Sequence, residues 1–111
     1  MHASVVIVLE GHLTEESLET ELGKADAALK THVGDKLWLI VDALPMTGYD
    51  AQARALFVTW NRDRRPRLHG VAIITKRTLW RVVVAAMSLA TGQHMRTFDT
   101  VEAARTFCSA S

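Results

Sequence analysis

The chain reads as a single α/β domain, a mainly parallel or mixed four-stranded sheet with alternating helices. Three observations lead there. Apolar runs at Val5–Leu9, Leu37–Val41 and Val71–Thr75 have strand length and are rich in β-branched residues. Each run is followed by a stretch whose apolar residues recur at helical spacing. The joints between them are short and marked by glycine or proline. Strands that alternate with helices are joined by crossovers, so they pair in parallel and their own helices cover the sheet.

The first run, Val5 to Leu9, is continuously apolar, which predicts a strand buried on both faces and placed at the sheet centre. Thr14 then offers an N-cap, and Glu15 and Glu16 stand in a first turn where the helix dipole favours them. Leu18, Leu22, Ala25, Leu29 and Val33 trace one stripe of a helix expected to end near Gly34. Leu37–Val41 is the second strand, with Asp42 at its carboxyl end, and Pro45 and Gly48 mark the loop after it. From an N-cap at Asp50, the residues Ala53, Leu56, Phe57 and Trp60 recur at helical spacing until Pro66 forbids continuation. Gly70 precedes the third strand. Thr78 can cap a third helix that runs to about Thr91 and stops at Gly92. His94–Phe98 alternates less cleanly and reads as a strand nearer an edge. Asp99 and Glu102 have the spacing of a capping box and open a closing helix through Ala103, Ala104 and Phe107.

With 111 residues, the chain is long enough for one core and reads as one domain over 1–111. A formal net charge of +1 gives the whole molecule no attraction for nucleic acid or anionic lipid, so any such partner has to read a local patch. Cys108 is the single cysteine, which excludes an intramolecular disulfide and a cysteine-based zinc cluster and fits a reducing, cytoplasmic setting. The start Met1-His2-Ala3-Ser4 has none of the marks of a signal peptide, and Arg81 interrupts the longest apolar run well short of the roughly 20 residues a membrane span needs. His2, His12, His32, His69 and His94 show no metal-ligand spacing. No glycine-rich phosphate loop or nucleophile elbow is present, and Cys108 has no base near it in sequence. The expectation is a domain without catalysis, cofactor or metal.

The third helix carries the strongest functional signal. On a helical wheel Leu79, Val82, Val83, Ala86 and Ala90 form the expected core face, while Trp80, Val84 and Met87 form a second apolar stripe beside it. Arg81 and Ser88 leave only a thin polar strip. Each large side chain of that stripe, if left in water, forgoes about 1.5–3 kcal/mol of burial. A neighbouring helix or loop, a protein partner, a second copy or a lipid surface would recover it. A second signal is the basic cluster Arg62, Arg64, Arg65 and Arg67, which complements a helix carboxyl end or forms an anion patch for headgroups, phosphate or an acidic protein. Lys76, Arg77 and Arg81 join that patch only if the two regions meet in space. Aromatic residues are not interleaved with these cations, which argues against nucleic acid.

Asp42, Thr75 and Lys76 fall at carboxyl ends of strands, where open α/β sheets commonly bind ligands. The same trio suits a degenerate receiver-like phosphoacceptor domain. No acidic pair follows the first strand to hold the magnesium such chemistry requires, however, which favours a role for Asp42 in capping loop amides.

Over nearly its whole length the chain resembles the SpoIIAA-like group of STAS/SEC14-type domains. The resemblance lies in Leu9-Glu10-Gly11-His12-Leu13-Thr14-Glu15-Glu16, in Leu39-Ile40-Val41-Asp42 with the loop and helix after it, in Gly70-Val71-Ala72-Ile73-Ile74, and in Arg96-Thr97-Phe98-Asp99-Thr100-Val101-Glu102-Ala103-Ala104. It implies a small non-enzymatic domain that binds a regulatory protein partner, or a lipid or other apolar ligand. The anti-anti-sigma branch carries an Asp-Ser-Ser-Gly-like phosphoacceptor at the start of its second helix. This chain has Met46-Thr47-Gly48-Tyr49-Asp50 there, and Thr47 is the nearest matching hydroxyl. The amino terminus is shorter than is common in that group, a departure that implies an abbreviated or missing first antiparallel strand. The expected partner is a protein or a second copy docking on Trp80, Arg81, Val84 and Met87, with an apolar or lipid ligand as the alternative.

Overall fold

The structure, a computed structural model, describes residues 2–110. Four parallel strands, β1 (Ser4–Val8), β3 (Leu37–Asp42), β5 (Leu68–Ile74) and β6 (Met95–Phe98), lie side by side in chain order. Helices α1 (Glu15–Thr31), α2 (Ala51–Arg64) and α3 (Thr78–Thr91) make the three crossovers, and α4 (Val101–Ala110) follows the last strand. Two short strands, β2 (Gly11–Leu13) and β4 (Met46–Tyr49), pair in parallel as a separate ribbon. Crossovers of one hand that step in one direction set their helices on one face of the sheet. Here α1, α2 and α3 share a core with Leu39, Val41, Val71 and Ile73. The alternate residues Trp38, Ile40, Ala72 and Ile74 turn to the opposite face, where Ala104 and Cys108 of α4 cover them.

Chain-ordered pairing puts β1 at an edge, not at the centre, and of its five residues Ile7 alone is buried. β3 and β5 hold the centre. β6 forms the other edge, as its irregular alternation predicts. Among the described residues no strand precedes β1, and all pairings are parallel.

Thr14 caps α1 by accepting the Ser17 N–H, and the Ser17 hydroxyl returns the favour to the Thr14 backbone. The helix ends at Thr31, earlier than its apolar stripe suggests, which leaves Val33 79% exposed. Gly92 adopts φ 71° and closes α3 in the left-handed conformation that favours glycine. Arg77, not Thr78, occupies the N-cap of α3, without a side-chain bond. At α4 the capping acceptor is Thr100, which takes the Ala103 N–H, because the Asp99 carboxylate is drawn away to Arg81. The segment expected to be a loop around Pro45 and Gly48 is instead the strand β4. Gly11 N–H donates to the Pro45 carbonyl and Asp50 N–H to that of Leu13, so β2 and β4 extend the pairing of β1 and β3 past a kink.

Candidate functional site

The sheet runs in chain order without reversal, so it lacks the switch point at which doubly wound sheets bind ligands. A different hollow takes its place. Where the β2–β4 ribbon rises from the carboxyl ends of β1 and β3, it stands against α2 and α3 and leaves a cleft among them. The cleft encloses about 560 Å³, its open mouth included. Its interior is narrow. The floor is Leu9, Val41 and Ile73, the ribbon contributes Leu13, Met46 and Tyr49, and Ala53 and Phe57 come from α2. From α3 come Trp80, Val83, Val84 and Met87.

The second apolar stripe of α3 therefore turns inward, joined by Val83 alone of the large residues on the face expected to be core. Val84 is buried, and half-buried Trp80 and Met87 pack on the main core, whereas the face expected to be inward carries Leu79 at 71% and Val82 at 61% exposure. Leu89 adds another exposed side chain at 88%. The physical reason is the registration of α3 over β5 and β6. The helix begins at Thr78, and Arg81 reaches from it to the Asp99 carboxylate and to the carbonyl oxygen of Thr75, which fixes the roll of the helix. Trp80 meets Tyr49 edge-on at 6.2 Å, and the Arg77 guanidinium lies 4.5 Å above the Trp80 ring.

The basic cluster goes to separate partners. Arg64 forks onto Asp26 of α1, Nε to Oδ1 at 2.5 Å and Nη2 to Oδ2 at 3.1 Å, and Trp60 Nε1 donates to the same carboxylate. Arg67 donates to the carbonyls of Leu29 and His32 at the end of α1. Arg62 donates to the Ala90 carbonyl at the end of α3, and the Arg65 side chain lies over Gly92. Arg62 and Arg67 thus reach helix carboxyl ends, in keeping with the dipole reading, Arg64 holds a carboxylate within α1, and the four do not converge on one anion patch.

Thr47 is exposed on β4, four positions before α2 begins, so it does not stand at a helix start. Asp42 accepts the Leu44 N–H, a local loop cap. Thr75 is buried with its Oγ1 accepting the Arg77 N–H, and Lys76 is exposed.

Among the described residues no three His, Cys, Asp or Glu side chains gather as metal ligands. His12 Nε2 lies 2.6 Å from Asp50 Oδ1, His32 donates to the Ala28 carbonyl, and His2 meets His69 ring to ring at 4.1 Å. Burial holds His69 below the usual imidazole range, and His2 and Lys36 nearby push the same way. Burial raises the Cys108 thiol to about 11, which leaves it protonated and unreactive at neutral pH.

Nothing in the sequence marks the ribbon as a wall of a site, and Ala53 and Phe57 of α2 read there as core alone. Met46, Thr47, Gly48 and Tyr49 do alternate, with Met46 inward and Thr47 outward, but four residues around a glycine after a proline resemble a turn more than a strand. Arg54, which also lines the cleft, carries no signal in the sequence, where it stands apart from the arginines that end α2.

Comparison with curated proteins finds no match. Among solved structures, the chain is similar to the crystal structure of an uncharacterized protein of the DUF3478 family with a SpoIIAA-like fold from Shewanella loihica PV-4. The two align with a TM-score of 0.75 at 17% identity, covering 93% of this chain and 82% of that one. Identity at that level speaks for the fold alone. The SpoIIAA-like family profile matches residues 4–109, nearly the whole described domain, and the chain therefore belongs to the SpoIIAA-like family.

Proposed function

We propose that this domain is a non-catalytic binding module that takes an elongated apolar molecule into the cleft between α2, α3 and the β2–β4 ribbon. SpoIIAA-like domains are generally regulatory and non-enzymatic, which agrees with a role in capture rather than turnover. The observation that carries the reading is the lining itself. Leu9, Leu13, Val41, Ile73, Phe57 and Met87 converge there, and a hollow walled by such residues holds water poorly. Met46 and Met87 add adaptable thioethers that can follow the shape of a flexible chain. A neutral solvatochromic dye such as Nile red tests the reading. Wild-type protein should bind it with a blue-shifted emission, and Val83→Trp, which fills the cleft from its partly exposed wall, should lower that binding at least tenfold with an unchanged circular dichroism spectrum. Equal binding by both proteins would remove the cleft as the site.

A second reading has its own observation. Leu79, Val82 and Leu89 leave an apolar face of α3 in water, and such a face suits a protein partner or a second copy. The docking surface expected at Trp80 and Met87 moves, on this reading, to the opposite side of the same helix. Sedimentation across a range of concentrations checks it. Self-association by wild type that Leu79→Gln with Leu89→Gln abolishes would support a second copy, and a constant monomer mass would refute that version.

A further inference from the structure

Of the fifteen residues lining the cleft, Arg54 is the one that carries a charge. It stands on α2 beside Ala53, which is fully buried, and one turn before Phe57, yet is itself exposed, so its side chain borders the apolar cleft and reaches water. Its circumstances differ from those of the other arginines nearby. Arg62, Arg64, Arg67 and Arg81 each donate to a carbonyl or carboxylate of the fold, and Arg77 lies on the Trp80 ring. Among the described residues the Arg54 side chain forms no hydrogen bond and no ion pair. Asp50, one turn earlier, faces His12 at 2.6 Å, and Asp42 accepts the Leu44 N–H.

A narrow hydrocarbon-lined slot bordered by one arginine that the fold leaves unengaged selects a particular kind of molecule. We infer that the ligand is a single-chain amphiphile with an anionic head, its tail lying against Met46, Phe57 and Met87 and its head held by Arg54. The planar guanidinium offers a carboxylate or a phosphate monoester two parallel N–H donors, which an alcohol cannot use and a cationic head would meet with repulsion. Arg77, fixed over the Trp80 ring at the α3 wall, adds positive charge without adding a competing acid. This inference rests on the apolar-cleft reading and narrows it.

Displacement of Nile red by four probes with the same ten-carbon tail separates the two claims: decanoate, decyl phosphate, 1-decanol and decyltrimethylammonium, each below its micelle concentration. Decanoate or decyl phosphate should bind at least ten times more tightly than decanol, with the cation weakest, and the stronger of the two anions names the head. Arg54→Gln should reduce the anion-over-alcohol preference about tenfold while decanol binding and the circular dichroism spectrum stay unchanged. If decanol competes as well as decanoate, or if Arg54→Gln keeps the preference, the anionic-head inference falls and the apolar cleft stands. If no probe displaces the dye, both fall.

Discussion

A Cβ added at Gly70 would stand 2.6 Å from the Trp38 ring and 2.8 Å from the His94 carbonyl oxygen. Gly70 lies on the central strand β5, where Trp38 of β3 crosses over it, so here the glycine is required by close approach and not by backbone conformation. Trp38 is hemmed in as well, by Phe107 at 5.6 Å edge-on and by His69 at 6.2 Å, and has little room to retreat. Gly70→Ala should therefore cost about 1–3 kcal/mol of stability through overpacking. Urea unfolding measures this directly, and a change below about 0.5 kcal/mol would mean that the Trp38 ring moves freely. The glycine before the third strand was visible in the sequence as punctuation. Its partner across the sheet was not, because the approach of residues 38 and 70 exists only once β3 and β5 are in register.

At the scale of an element, α3 holds the sharpest lesson. Its sequence is apolar around most of its circumference, so a helical wheel supplies two candidate inward faces and no means of ranking them. The roll of the helix is decided by polar ties: Arg81 to Asp99 and to Thr75 at one end, and the Ser88 hydroxyl donating to the Gln93 carbonyl at the other. These turn Val84 into the core and leave Leu79 and Leu89 in water. Val84→Ala should accordingly cost about 1–3 kcal/mol, the loss of buried methyls plus a cavity. Leu79→Gln and Leu89→Gln should each stay within about 0.5 kcal/mol of wild type. Thermal and urea melts of the three variants check the assignment, and the reverse ranking would restore the face read from the wheel.

In the whole molecule, three helices share one face of the sheet while the short helix α4 covers the other. The arginines after Asn61 keep the three together. Arg64 binds Asp26 on α1, Arg67 caps the last carbonyls of α1, and Arg62 reaches the last turn of α3. This binds the helices at their carboxyl ends, far along α2 from Arg54 and the cleft wall. Arg67→Ala leaves two carbonyls without their charged donor and should cost about 1–3 kcal/mol in urea unfolding, against little change for exposed Arg54→Gln. Equal stability of the two variants would show that the latch contributes nothing. Among the described residues no helix is long and apolar enough to cross a membrane.

The sequence alone determined the order of the four sheet strands and the four helices, the mainly parallel sheet and most helix ends, because Thr14, Pro66 and Gly92 act through local backbone chemistry that needs no distant partner. It also marked α3 as having more apolar surface than one face can bury. Tertiary structure decided which face that was, where the arginines point, and that a ribbon from residues 11–13 and 46–49 closes a cleft over α2 and α3. Those outcomes depend on register and roll between segments far apart in the chain. Burial preferences read along one segment fix its period but leave its phase open, and the phase was set here by a few long-range polar contacts.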